Sequence, residues 1–172
     1  VLAARQVDGD RLAAAAIAPL GAAPSFAATR DQIRLCETRD DVTADQRIAA
    51  CGAVMETSKI KKQKSTAYAN RGKAWRAKGD AEQAVRDFDQ AIAIDDRNAD
   101  AFYNRGLAFR DRGDTERATQ DLEQAVKYDT HNAAALNVLS HIYYDRRDYG
   151  QAIDVLSQAI KLNATYALAL FN

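Results

Sequence analysis

Apolar residues recur at intervals of three, four and seven between residues 65 and 164, which is the pattern of amphipathic helices and not of strands. The pattern predicts helix pairs at about 66–78 with 81–94, 100–112 with 115–128, and 134–146 with 149–162. The break within each pair is marked by "KGD", "DRGD" or "RD", since glycine favours the left-handed conformation that ends a helix and aspartate caps the next one. The chain is therefore predicted to be all-α.

The apolar pattern is itself repeated at a constant spacing of 34 residues. Each copy has a small residue, an aromatic residue, an alanine and a large apolar residue: Gly72, Trp75, Ala84 and Phe88, then Gly106, Phe109, Ala118 and Leu122, then Ser140, Tyr143, Ala152 and Leu156. The small residues are predicted to let the two helices of a pair approach, and the aromatic and large apolar side chains to fill the remaining space, each contributing about 1.5–3 kcal/mol on burial. A fixed period of this kind is typical of a stacked unit that cannot bury its apolar face alone.

The segment "AFYNRGLAFRDRGDTERATQDLEQAVKYD" resembles the tetratricopeptide repeat, with a large-small-aromatic pattern in its first helix and an alanine-rich pattern in its second. The resemblance covers three repeats, at 65–98, 99–132 and 133–166. The proline that often closes a repeat is replaced by Asp96, Thr130 and Ala164, next to residues that still favour a turn. The resemblance implies a right-handed superhelical array of antiparallel helix pairs with a concave groove.

In the family, the first helices of successive repeats line this groove and hold a peptide. The positions that face inward there correspond to Asn70, Lys73, Arg76, Tyr103, Asn104, Leu107, Arg110, Asn137, His141 and Tyr144. Asn70 and Asn104 match a recurrent family asparagine whose amide can donate to and accept from a ligand backbone. The alternative is that these side chains only solvate the face.

The family's clamp for the C-terminal carboxylate of chaperones is poorly matched. Its Lys and Asn of the first repeat fall on Ala69 and Lys73, and its Lys and Arg of the third fall on Ala134 and Val138. Only Asn104 coincides with the clamp. The basic lining from Lys73, Arg76 and Arg110 nevertheless suggests an acidic or polar partner.

Residues 28–58 are predicted to form a further helical hairpin. Thr43 and Gln46 have the spacing of a capping box, which places a helix at about 44–58 and sets Cys51 opposite Cys36 on the preceding helix. In an oxidising compartment the two cysteines would form a disulfide; in the cytosol they would be two small buried apolar residues. Exported bacterial tetratricopeptide proteins with a two-cysteine N-terminal hairpin are similar to this layout.

The segments outside the repeats carry further expectations. Residues 1–27 resemble an export signal cleaved after Ala27, which favours a periplasmic or secreted protein of bacterial origin, although two early aspartates and a first residue other than Met also fit a disordered leader of a cytoplasmic protein. The lysine-rich 59–64 ("KIKKQK") is expected to be a solvated linker, with a patch for a polyanion as the alternative. Residues 167–172 align with the start of a fourth repeat, either truncated or acting as a short cap.

Composition and chemistry narrow the function. The 24 basic residues balance the 24 acidic ones, so no net positive field favours nucleic acid or an anionic membrane, and no apolar run reaches the roughly 18–20 residues of a membrane span. His131 and His141 lack neighbours at zinc-ligand spacing, and no phosphate loop or nucleophile motif occurs, so no catalytic residue, metal or cofactor is expected. The hypothesis is a non-enzymatic scaffold that binds a protein or peptide of unknown identity. The alternative is an assembly module that forms a weak homodimer through Ile160 and Leu162 of its last repeat.

Overall fold

The computed structural model describes residues 29–37 and 41–162. The predicted leader at 1–27 and the predicted fourth repeat at 167–172 lie outside these residues. The described part contains helices and no strands, so the predicted all-α class is confirmed. The helices are α1 (Arg30–Cys36), α2 (Ala44–Thr57), α3 (Lys61–Ala77), α4 (Ala81–Ile94), α5 (Ala99–Asp111), α6 (Thr115–Tyr128), α7 (Ala133–Asp145) and α8 (Tyr149–Leu162).

Local polar residues set where the helices begin and end. Thr29 and Thr43 each form a complete capping box, with Gln32 and Gln46. The starts of α4 to α7 are capped by side chains that accept a hydrogen bond from the third helical N–H, namely Asp80, Asn98, Asp114 and Asn132. The turns inside the repeats contain Gly79, Gly113 and Arg147 at φ of 82°, 79° and 65°, the left-handed conformation that ends a helix.

One predicted boundary is wrong. The expected linker at 59–64 is mostly helical, because α3 begins at Lys61 and not near residue 66. Lysine and glutamine are good helix formers, so nothing in this run opposes the helix. Only residues 58–60 connect α2 to α3, and there the Ser58 hydroxyl accepts from the Ile60 N–H.

Close approach within the pairs rests on the small residues of the first helices. A Cβ atom added to Gly72 would lie 2.6 Å from Phe88 Cε1, and one added to Gly106 would lie 3.0 Å from Leu122 Cγ and 3.2 Å from the Ala118 carbonyl oxygen. Of the twelve predicted packing residues, ten are buried, whereas Trp75 and Leu156 are half-buried. The predicted packing pattern thus forms the core of the repeats.

A repeated ion pair also ties the helices of the first two pairs. Arg71 donates from Nε and Nη2 to Asp87 at 2.8 and 2.7 Å, and Arg105 donates in the same way to Asp121 at 2.7 and 2.7 Å. The hydrogen bond to Asp87 raises the pKa of Arg71 above its ordinary value. At the matching positions the third repeat has Leu139 and Val155, which pack in the core instead.

The N-terminal hairpin packs on the first repeat and is closed covalently. A disulfide joins Cys36 of α1 to Cys51 of α2, with their Cα atoms 4.7 Å apart. Both cysteines are buried in a cluster with Val54 and Met55, and this cluster reaches Ala67 of α3. The sequence left open whether the two cysteines form a disulfide or are two buried thiols, and the structure contains the disulfide.

Candidate peptide-binding face

The first helix of each pair contributes to one face of the array, which we call the inner face. Helix α1 contacts α3, and α3 contacts α5. Helices α5 and α7 line a common pocket. The inner face therefore runs from the hairpin to the third repeat and contains most of the residues that the sequence proposed for binding.

The centre of the inner face, between α3 and α5, is closed by ion pairs. Lys73 Nζ lies 2.7 Å from Asp100 Oδ2, and Arg76 Nε donates to Asp111 Oδ2 at 2.9 Å. Two of the three cations expected to attract an acidic partner are thus neutralised within the protein. The sequence prediction missed these aspartates because helices α3 and α5 come together only in the fold.

Asn104 and its neighbours are also more engaged than predicted. The side-chain nitrogen of Asn104 donates to the backbone carbonyl oxygen of Asp100 at 2.8 Å and to its Oδ1 at 3.0 Å. Both amide hydrogens of Asn104 are therefore used, and a ligand could contact this side chain only through its own oxygen, as an acceptor. Leu107 is buried, and Tyr103 is half-buried against the core. These residues hold the inner face in shape, and a contact with a ligand there stays a prediction.

A pocket of about 490 Å³ lies at the C-terminal end of the inner face, between α5 and α7. Arg110 and His141, both predicted from the sequence, line it together with Val138, Asp145 and Arg146. The Arg110 side chain is 44% exposed, and its contact with Asp111 is long, at 3.4 Å. The structure therefore leaves this pair of predicted residues accessible in one pocket.

Two other predicted residues lie near the C-terminal pocket on α7. The Asn137 side-chain oxygen is buried and has no hydrogen-bond partner among residues 29–37 and 41–162. Buried polar atoms are normally paired, but this oxygen is too deeply buried to contact a ligand in the C-terminal pocket, and Asn137 does not line that pocket. Tyr144 is 64% exposed and packs edge-on against Tyr149, with their ring centroids 5.7 Å apart.

A second pocket, of about 280 Å³, lies at the N-terminal end, between α1, α2 and α3. Of the residues predicted for the peptide groove, Asn70 is the one that lines this pocket in the described part of the chain, and Asn70 is itself buried. The remaining lining residues include the disulfide cysteine Cys36 and Lys62. Sequence reasoning missed this pocket because it treated residues 59–64 as a linker and the hairpin as separate from the groove.

The described part of the chain has no cluster of metal ligands and no membrane-spanning helix. No group of three or more His, Cys, Asp or Glu side chains within it is placed to hold a metal ion. None of its helices is both long and apolar enough to cross a membrane. The strongest pKa shift belongs to Tyr143, where burial and a 2.6 Å hydrogen bond donated to Glu123 raise the hydroxyl pKa, and this contact joins α7 to α6 within the array.

Comparison with solved structures finds helical repeat proteins. A crystal structure of MamA matches with a TM-score of 0.63 at 18% identity, covering 72% of this chain and 71% of that one. YrrB, described as a TPR protein with an unusual peptide-binding site, matches with a TM-score of 0.60 at 14% identity over 74% of this chain and 64% of that one. The second TPR of Spaghetti (RPAP3), bound to the HSP90 peptide SRMEEVD, matches with a TM-score of 0.56 at 24% identity over 59% of this chain and 94% of that one. At these identities the likeness establishes the fold.

Sequence comparisons lead to the same family. No curated protein sequence matches the chain significantly. Among family models, one described as a TPR repeat matches residues 72–110, and one described as a tetratricopeptide repeat matches residues 103–167. The two matches together span more than half of the chain, and the chain belongs to the tetratricopeptide repeat family.

Proposed function

We propose that this protein is a non-enzymatic interaction module that holds a segment of a partner protein against its inner face. Members of the family are generally interaction modules without catalytic activity. The observation that carries the proposal is the C-terminal pocket, in which Arg110 and His141 are brought together from different helices. YrrB and the Spaghetti domain are peptide binders by their descriptions, which supports the same use of the fold here.

The chemistry of the C-terminal pocket favours a polypeptide ligand. Arg110 supplies a guanidinium donor, and the carboxylate of Asp145 on α7, which also lines the pocket, supplies an acceptor. A peptide backbone presents both an acceptor and a donor at each residue, so it complements these two groups. Val138 and Ile142 add apolar surface for a side chain. Because the groups lie on helices and not on loops, little ordering cost accompanies binding.

Selection from a peptide display library tests the proposal. The wild-type protein should enrich a defined peptide, and replacing Arg110 and His141 together by alanine should weaken that peptide's binding by about 1–2 kcal/mol, or roughly 5- to 30-fold. The matched control is Gln90→Ala with Gln120→Ala, two exposed residues on the second helices of their pairs. Unchanged affinity in the Arg110/His141 variant, with its circular dichroism spectrum intact, would contradict the proposal.

An assembly role is the second candidate, and it is favoured by the face of α8 that corresponds to the face of α4 packed on α5. Ile153 is 62% exposed and Ile160 is 39% exposed, whereas their counterparts in the first repeat, Val85 and Ile92, pack against the following helix. An uncovered apolar strip of this kind promotes self-association. We expect a concentration-dependent dimer that Ile153→Glu abolishes. Sedimentation that shows only monomer at high micromolar concentration would count against this role.

We also propose that the protein is exported, so that its disulfide forms in an oxidising compartment. The support is the combination of the Cys36–Cys51 bond with the signal-like residues 1–27. Expression in a Gram-negative bacterium followed by mass spectrometry of the product is the test. The expected N-terminus is Ala28, and an uncleaved product that remains in the cytoplasmic fraction would contradict export.

A further inference from the structure

The N-terminal pocket joins the hairpin to the first repeat and has an apolar floor. Ile33 of α1, Val54 of α2 and Ala67 of α3 contribute to it, and Cys36 forms part of its wall. Its volume of about 280 Å³ is just below the roughly 300–1,000 Å³ typical of pockets for whole small molecules. The space therefore suits a single bulky apolar side chain better than a cofactor.

The rim of the N-terminal pocket on the α3 side is positively charged. Lys62 is the lysine that lines the pocket, whereas Lys59, Lys61 and Lys64 lie within three residues of it along the chain without lining the pocket. None of these four lysines has an ion-pair partner among the described residues. Further along the same helix, by contrast, Lys73 and Arg76 are both paired with aspartates. The unpaired charge on α3 is thus concentrated at this end.

Two further features indicate which charge of a ligand each side of the pocket favours. Among the described residues no side chain caps the start of α3, which leaves the backbone N–H groups of its first turn to an anion beside Lys62. On the opposite rim, Glu37 of the α1 end is the carboxylate that lines the pocket. An acidic group of a ligand is therefore favoured near α3 and disfavoured near α1, which would fix the orientation of a bound peptide.

We infer that the N-terminal pocket is a docking site for an acidic peptide that inserts one apolar side chain between α1, α2 and α3 while its carboxylates contact the first turn of α3. This inference rests on the proposed function and specifies the chemistry of the peptide that would bind at one end of the inner face. An apolar side chain that fills such a pocket is removed from water, and buried anchors of this kind carry most of the binding energy at interfaces. Because the disulfide already holds the pocket wall, the peptide does not have to order it.

A nucleic acid fits the N-terminal pocket less well than a peptide does. Sequence-tolerant binding of single strands uses aromatic side chains on which the bases stack. None of the described residues that line this pocket is aromatic. The lysines alone would attract any polyanion, so the apolar floor is the feature that separates the two partners.

Fluorescence anisotropy with the full chain tests the inference. The probe is a labelled peptide of sequence DDELEDD, compared with DDEAEDD, which lacks the apolar anchor. The leucine peptide should bind about tenfold more tightly than the alanine peptide, and Lys62→Glu should weaken its binding by about tenfold. Thr66→Trp, at an exposed position that lines the pocket, should fill the space and reduce binding similarly. Lys161→Glu, an exposed lysine on α8, is the matched charge control and should have no effect.

Several results would overturn the inference. They are equal binding of the two peptides, equal losses in the Lys62 and Lys161 variants, polyuridine competing as well as the leucine peptide, or no peptide binding by the folded protein. A dimer that Lys62→Glu abolishes would assign the pocket to a second copy and also overturn it. If display-selected peptides depend on Arg110 and His141 but ignore Lys62→Glu, the proposed function stands and only this inference fails.

Discussion

Replacing Arg105 by leucine should be far more destabilising than replacing Arg105 and Asp121 together. Asp121 has a side chain only 8% exposed and accepts both of its hydrogen bonds from Arg105. Burial lowers the pKa of Arg105, but the hydrogen bonds and charges of Asp121 and Asp89 more than offset this and raise the pKa overall. The single variant Arg105→Leu would leave the buried Asp121 carboxylate without a cation, which is a costly state.

The structure sets the size of the effect. Breaking a buried ion pair from one side costs about 3–5 kcal/mol, and the 19% exposure of the Arg105 side chain places this case near the lower end. Loss of the partner of Asp89 adds little, because Asp89 is 49% exposed. A loss of about 3 kcal/mol corresponds to a fall in Tm of roughly 6–12 °C for a chain of this length.

The third repeat shows what the double variant should do. Arg105→Leu with Asp121→Val reproduces Leu139 and Val155, which occupy the matching positions and pack in the core. Replacement of a buried ion pair by apolar residues is often neutral or stabilising. We therefore expect the free energy of unfolding of the double variant to lie within about 1 kcal/mol of the wild-type value.

Thermal and urea unfolding followed by circular dichroism measures all three proteins. The control is Arg86→Leu, because the Arg86–Glu82 pair is 65% and 69% exposed and its loss should cost no more than about 0.5 kcal/mol. A neutral Arg105→Leu variant, or a double variant as unstable as the single one, would refute the reasoning.

The remaining predictions concern packing, the disulfide and alkaline pH. Gly72→Ala should destabilise by about 1–3 kcal/mol in urea unfolding, because the new Cβ meets Phe88, whereas Gly150→Ala, with no heavy atom within 4 Å, should be neutral or stabilising; equal effects would contradict the packing. Cys51→Ala should lower the free energy of unfolding by about 3 kcal/mol, and addition of reductant should then change the variant no further. Because the pKa of Tyr143 is raised in the folded state, the wild type should lose stability above about pH 10, where the unfolded chain ionises, and Tyr143→Phe should lose less; parallel pH profiles would disprove this.

The helices and their packing could be predicted because both depend on spacing along the chain. Gly106, Phe109 and Leu122 recur in register with the other repeats, and the structure buries all three. The Arg–Asp pairs were not predicted, although both partners recur at the same spacing in the first two repeats. The ion pairs of the inner face could not be predicted, because Lys73 and Asp100 become neighbours only when helices from different repeats pack side by side.

The boundary of α3 and the N-terminal pocket were missed for a different reason. The lysine-rich run 59–64 has a single apolar residue, Ile60, and therefore no helical periodicity, although residues 61–64 extend a helix whose later turns are packed. The pocket requires three helices to converge, and only one of its residues, Asn70, stood at a position known from the family. Pockets between a repeat and a neighbouring hairpin leave no signature in the repeat period.

The disulfide makes the two ends of the described array unequal. In repeat proteins the terminal units are held by a single neighbour and fray first, and unfolding then propagates from unit to unit. At one end, the Cys36–Cys51 disulfide keeps α1 and α2 linked when the hairpin unfolds. Refolding of the hairpin therefore starts from a loop that is already closed. The third repeat has no such tether within the described residues. Opening should therefore travel from α8 toward α1, and amide hydrogen exchange should be fastest in α8 and slow down repeat by repeat toward the hairpin.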